Sequence, residues 1–268
     1  MKVTSKLFFA TLIGAALLYT SCKKSDVTAG KKTVDQSIVS GKIAMSLYNA
    51  LYGKLSGGQG IKTNGVTRLT TMGVNPTCGD VVVTPTNLTT HSGDTTSTYI
   101  GNSVFTYQCD GYFNNSAILD AYTLADTLAI NETGSGFANY YRNTQNYVVK
   151  ALDAQYSQVS VGGSITTMAR ASKFTSGSSG TPIDFYELSC QYTLHNITTN
   201  RTSNTAEFVA GAVDFSSQQV DDVNGTPLAL EGYILFLPDH ILEVNIRGTA
   251  GDKLYDVDTL TGKVTTVR

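Results

Sequence analysis

The first regular pattern along the chain is helical. Val34, Ile38, Met45, Tyr48, Tyr52 and Leu55 recur at spacings of three, four and seven, which lays one apolar stripe along an α-helix. Thr33 and Gln36 form a capping box at its start, hydroxyl and amide each satisfying a free backbone N–H. Gly57 and Gly58 supply a left-handed stop. The polar side lacks the Lys/Arg density of helices that lie on membranes, so the stripe is expected to face a core.

Nearly everything later alternates with period two. Tyr99, Phe105, Tyr107 and Cys109 share a face, and so do Ile118, Tyr122, Leu124, Leu128 and Ile130, with a gap at Asp120. Residues 118–130 also fit a helix; strand is the reading adopted. Further strand-like segments cover 147–152, 164–174, 186–194, 207–215 and 228–236. "PDH" then turns the chain into 241–246, and "KLYDVDTLTGKVTTV" reads as two short strands around a Thr261–Gly262 turn. Short strands punctuated by Gly, Asn and Pro predict an antiparallel meander. "TSGSSGTP", residues 175–182, reads as a flexible connection, and no internal repeat has a fixed period. One helix followed by about ten strands predicts a mainly β (α+β) fold with two solutions. Either an antiparallel curved sheet or half-barrel packs on one N-terminal amphipathic helix, an arrangement similar to periplasmic lipoprotein carriers, or two sheets stack as a β-sandwich.

The segment ahead of the helix changes the picture. Lys2 and Lys6 precede an almost wholly apolar run from Leu7 to Leu18, and Tyr19, Thr20 and Ser21 lead into Cys22. About 12 apolar residues are too few for the roughly 20 that span a bilayer as a helix. Charge, apolar core and small residues in that order read as a secretory signal. "LLYTSC" resembles the lipobox of bacterial lipoproteins, with Tyr19 where that family usually carries Leu. The resemblance covers residues 1–26 and leaves the body unassigned. It implies a signal peptide over 1–21, acylation (palmitate) of the Cys22 thiol, and membrane anchoring through more than one acyl chain, beyond the marginal hold of a single chain. Lys23 stands where an Asp commonly retains such proteins at the inner membrane, so the resemblance implies a cell-envelope address at the outer membrane. "CKKSD" partly resembles a surface-export signal; an ordinary solvated tether explains Lys23 and Lys24 equally well. Residues 22–33 carry no apolar periodicity and read as a polar tether, with 34–268 as a single β-rich domain.

Composition narrows the function classes. Loss of Lys2 and Lys6 takes the 19 bases to 17 against 21 acids, a net charge of −4 without the clustered bases that nucleic acid requires. With 15 Tyr, 10 Phe, no Trp and only 15% charged residues, the chain suits secreted β structure, where Thr and Tyr tolerate a half-wet surface. After Cys22, three cysteines remain: Cys78, Cys109 and Cys190. An oxidising compartment permits one disulfide. Cys78–Cys109 is the favoured pairing, and Cys109–Cys190 is the alternative. Cys190, on the face of Tyr186, Leu188, Tyr192 and Leu194, also reads as a buried small hydrophobe.

Candidate chemistry is sparse. His91 falls in a polar loop, His195 on the wet face of a strand and His240 in a turn, with no metal-ligand spacing among them. "GSSG" at 177–180 lacks the spacing of a nucleophile elbow, and "GTAGDK" from Gly248 falls short of a phosphate loop. "DVDTLTG" from Asp256 lacks the third acid and terminal Glu of a calcium loop and reads as a hairpin. Glu187, Asp214, Glu231 and Glu243 interrupt strand-like segments; paired on a concave face they would suit glycosidic chemistry, and solvated outer faces are the plain reading. Asp94, Asp126 and Asp258 each precede Thr and then Thr or Leu, a step similar to an O-glycosylation consensus of some secreted bacterial proteins. No catalytic residues, metal site or cofactor is assigned. The expectation is a lipid-anchored, non-enzymatic envelope protein with a binding or structural role at the outer membrane. A carrier of an apolar ligand and a glycan-binding or carbohydrate-active protein are the alternatives. The former requires an incompletely filled concave sheet, and the latter clustered exposed Tyr near acids.

Overall fold

The computed structural model describes residues 35–52, 77–109, 119–153, 157–175, 182–200, 207–222, 225–248 and 251–267. The capping-box Thr33, the Gly57–Gly58 stop, Ile118 and most of the 175–182 connection lie outside them. The one helix among the described residues, α1 (Gln36–Leu51), starts at Asp35, whose carboxylate accepts from the Ser37 N–H at 2.9 Å and the Ser37 hydroxyl at 2.8 Å. Those bonds hold the Asp35 pKa below its ordinary value. The N-cap is therefore Asp35 rather than Thr33, since an aspartate one residue before the helix reaches the first free N–H groups directly. Tyr52 closes the last turn through its N–H to the Tyr48 carbonyl at 2.9 Å, ahead of the expected stop.

The buried side of α1 also differs from the expected stripe. Val39, Ile43, Ala44, Leu47, Ala50 and Leu51 are fully enclosed, while Ile38 is 44% exposed and Tyr48 and Tyr52 only pack against the core. The helix lies across a concave sheet, so small and medium side chains face the backbone. The bulky tyrosines fill its flanks, where Tyr52 meets the Phe208 ring edge-on at 5.0 Å.

Among the described residues eleven strands form one antiparallel, curved, open sheet in chain order. They are β1 (Val81–Ser92), β2 (Thr95–Cys109), β3 (Leu119–Gly134), β4 (Phe137–Ala151), β5 (Gln158–Lys173), β6 (Asp184–Asn200), β7 (Glu207–Val220), β8 (Leu228–Leu237), β9 (Ile241–Ile246), β10 (Lys253–Asp258) and β11 (Val264–Thr266). Residues 119–130 are strand, as adopted from the alternation. β1 was not legible, because its inward positions include Thr84, Thr86 and Thr90 and carry little apolar signal; pairing with β2 makes it a strand. His91 accordingly sits near the end of β1, its Nδ1 3.0 Å from the Thr96 hydroxyl, and not in a loop.

The curvature has a local origin. Register shifts fall after Val161 in β5 and around His195 and Thr198 in β6, next to Gly163 (φ +146°), Asn196 (φ +50°) and Gly211 (φ +128°). Bulges with unusual backbone angles on three adjacent strands bend the sheet along one line. Gly232 answers a different need. A Cβ there would collide with the Asn245 carbonyl on β9 and come within 2.9 Å of the Phe215 ring. Gly232→Ala is therefore expected to cost about 1–3 kcal/mol by forcing the strands apart. The check is urea unfolding, with a lower midpoint at unchanged slope.

The core lies between α1 and the concave face. It draws on Leu124, Tyr147, Ile165, Tyr192, Val213, Ile234 and Val244 from successive strands, all almost wholly buried. Cys78 and Cys109 are joined, their Cα atoms 5.5 Å apart, which ties the approach to β1 to the end of β2. Cys190 is free and buried on β6, four strands from Cys109.

Candidate functional site

Strand alternation places Asn139, Tyr141, Asn143, Gln145 and Tyr147 of β4 on the concave face, in line with the core residue Val149. Cross-strand register sets Asp126 of β3 opposite Gln145, with Ser103 of β2 beyond it. On the other side, Asn143 faces Thr167 of β5, which in turn faces Cys190 of β6 and then Ser217 of β7. A polar band thus crosses the inner face of an otherwise apolar sheet. Its members are deeply enclosed: Asn143 is 0% exposed, Gln145 1% and Asp126 3%.

The helix takes up part of this polarity. The Gln145 amide donates to the Ala50 carbonyl at 2.6 Å, one of the carbonyls left over at a helix C-terminus. The Ser46 and Thr167 hydroxyls meet at 2.7 Å, and the Tyr192 hydroxyl donates to the Ile43 carbonyl at 2.8 Å. Lys42 stacks its ammonium 3.6 Å over the Tyr186 ring. Ser103 donates its hydroxyl to Asp126 Oδ1 at 2.5 Å.

A second set of atoms has no partner. Asp126 Oδ2, both amide atoms of Asn143, Gln145 Oε1 and the hydroxyls of Tyr141, Tyr147 and Tyr186 are buried with no hydrogen bond. Each such group costs about 1–3 kcal/mol when left unsatisfied. Burial raises the Asp126 carboxyl to about 6, against the opposing effect of the Ser103 bond. Burial also raises the phenols of Tyr141, Tyr147 and Tyr186 above their ordinary value, with the Asp126 charge adding to the effect at Tyr147. The Cys190 thiol is pushed up to about 12 by burial, which leaves it a protonated, unreactive group. Farther along the same face the wall opens: Tyr99, Glu132 and Tyr141 are half-buried, and the Asn139 amide approaches Glu132 at 3.5 Å.

The four carboxylates considered for glycosidic chemistry lie elsewhere, whereas Asp126 of the Asp-Thr-Leu step and Cys190 fall within the band. Glu187, Asp214, Glu231 and Glu243 occupy the opposite, convex face. There Glu187 pairs with Arg170 at 2.6 Å and Asp214 with His195 at 2.9 Å, exposed pairs that contribute little to stability. Asp258 spends its carboxylate on the Leu260 and Thr261 N–H groups at 2.8 and 3.1 Å, inside the β10–β11 hairpin. Thr259, which follows it, is 5% exposed and donates to the His240 carbonyl at 3.0 Å. Among the described residues no three His, Cys, Asp or Glu side chains group as a metal site, and no helix is long and apolar enough to cross a membrane.

Apolar alternation alone does not reveal the polar band. Its signal was present in "YYRNTQNYVV", residues 140–149, where polar side chains fall at the positions that lead into Tyr147 and Val149. Asp126, likewise, interrupts the run from Leu124 to Leu128 on the core face. No family model, curated protein or solved structure matches the chain.

Proposed function

We propose that the chain is a lipid-anchored binding protein of the cell envelope. In this reading it is held at the outer membrane through acylated Cys22, with the curved sheet acting as a half-barrel receptor for a polar ligand. The observation that carries the binding half of the reading is the unpartnered hydrogen-bonding capacity of Asp126, Asn143, Gln145, Tyr141 and Tyr147 on the concave face. Polar ligand sites put a few convergent polar groups in an apolar frame, and this face has that composition. The leader ending in "LLYTSC" supports the anchor.

An apolar cargo finds less support. The cleft between Tyr48, Tyr52, Phe208 and Phe236 encloses about 10 Å3, room for the centre of one water. Catalysis finds little, because the acids on the convex face are spent on surface contacts with Arg170 and His195 or turned to solvent.

Two measurements test the two halves. Cys22→Ala is expected to leave the membrane fraction, and its retention there would remove the anchor. Native mass spectrometry of the wild-type chain released from its own envelope is expected to show a bound polar adduct that Asn143→Leu lacks. An adduct held equally by both, or an adduct-free wild type, would remove the receptor.

A further inference from the structure

We infer that β1 is a self-association edge: two copies of the chain pair through the stretch Asn87 to His91 of this strand and join their sheets into one. The direction of the unused backbone groups follows from the ladder. The Tyr107 N–H donates to the Asp80 carbonyl at 2.9 Å, and the register sets Val81 opposite Thr106 and Val82 opposite Phe105. In an antiparallel pair every second residue exchanges bonds with the neighbouring strand, and the residues between turn their N–H and C=O the other way. Even-numbered residues of β1 therefore bond to β2, and the odd-numbered ones from Val81 to His91 turn outward. β1 ends the sheet, and among the described residues no strand takes up those outward groups.

Pro85 divides this edge. It falls on an outward position, where its missing N–H costs the β1–β2 ladder nothing, as is usual for proline in an edge strand. A strand approaching at Pro85 would meet a ring in place of a donor, so that part of the edge is guarded. Beyond it the guard ends. Asn87, Thr89 and His91 each turn a donor and an acceptor outward, all three are exposed, and Leu88 between them is 45% exposed. An exposed, uncharged edge of this kind is a template for another strand.

Charge selects a second copy as the occupant. A strand that meets its own copy across a two-fold axis sets like residues near one another, so any charge on it would face the same charge. From Val81 to Cys109, Asp94 in the turn between β1 and β2 is the one Asp, Glu, Lys or Arg, and β1 itself carries none. A different partner chain would make no such demand, and opposite charges would then improve its recognition. The register follows from Pro85. With Thr89 on the axis, Asn87 faces His91 of the other copy and Thr89 faces Thr89, which uses every outward donor and acceptor of the stretch. Leu88 then stands across from Thr90, in the pairs whose side chains lie closest. Pro85 falls opposite Gly93, past the end of the paired stretch. Moving the axis one residue toward Val83 draws Pro85 into the ladder, and the stretch before Pro85 offers only Val81 and Val83.

The test is sedimentation velocity of the detergent-solubilised full chain, with urea unfolding to check that each variant folds. Wild type is expected to be a dimer that persists at high salt, because no ion pair holds it. Thr89→Lys sets two ammonium groups against each other across the axis and should raise the dimer dissociation constant about tenfold or more. Thr89→Pro, which like Pro85 removes only an outward N–H, should leave a folded monomer. Thr265→Lys adds the same charge on β11, at the opposite end of the sheet, and should leave the dimer as tight as wild type. A monomeric wild type, a dimer that Thr89→Lys does not weaken, or equal weakening by Thr265→Lys would overturn the inference. A wild type that sediments with a different protein in place of its own copy would overturn the choice of occupant.

Discussion

Replacing Cys78 and Cys109 together by alanine is expected to lower the unfolding free energy by about 3–4 kcal/mol. The bond closes a loop with a sequence separation of 31, and its removal releases that much chain entropy to the unfolded state. The site of the bond makes the loss local as well as global. β1 is an end strand of the sheet, paired only with β2 among the described residues, and its outward Val81 and Val83 are 58% and 56% exposed. Few buried contacts hold it in place, so the bridge at the foot of the β1–β2 hairpin is its main fixed point. Hydrogen exchange is expected to show β1 amides losing protection first in the double variant, while β3 to β8 keep theirs. Equal stability with and without the bond under oxidising conditions would show that β1 is held by other means. Cys190→Ala is expected to leave the bridge intact, since that thiol lies in the core and forms no bond.

The second large effect is a dependence on pH that resides in one carboxyl. Asp126 titrates at about 6 in the folded chain against an ordinary 3.8, because burial penalises its charged form. The unfolded chain therefore gives up this proton at lower pH than the folded one. Stability is greatest below about pH 4 as far as this group is concerned, and is lost as pH rises through 6. Two units correspond to roughly 3 kcal/mol as an upper bound. Asp126→Asn keeps an acceptor for Ser103, removes the titration and sets an amide donor near Gln145 Oε1. The variant is expected to be more stable than wild type at pH 7 by up to that amount and to match it near pH 3. Urea midpoints at pH 3, 5 and 7 provide the measurement; parallel wild-type and variant curves would show that Asp126 is ionised at no cost. The groups around it are consistent with this sign: Tyr147 brings no positive charge, and Gln145 is bonded to the negative end of α1.

Much of the fold was legible in the chain because strand and helix periods are local properties. Phe105 and Tyr107, then Leu124 and Leu128, then Tyr192 and Leu194, alternate as an enclosed face must, and they are enclosed. The helix was legible too, but its buried side was not. Periodicity named Ile38, Met45 and Tyr48, whereas contact with a curved sheet buries Val39, Ile43 and Leu47. The candidate site was the least legible part. A polar residue at an inward position is written in the same letters as one at an outward position, so Asn143 and Thr144 differ only in the direction they face. The carboxylates with an apparent chemical role, Glu187 and Asp214, turned out to face outward, beside Arg170 and His195.

The sequence by itself determined that an amphipathic helix precedes an antiparallel meander and that an apolar run is followed by Cys22. Those conclusions need only nearest-neighbour information: spacing, capping and composition. Tertiary structure alone decided where the sheet bends, at Gly163, Asn196 and Gly211, and which polar side chains the bend encloses. Asp126, Asn143 and Gln145 acquire a common purpose only once β3 and β4 pair in register, because hydrogen-bond partners and dielectric are set by residues distant in the chain.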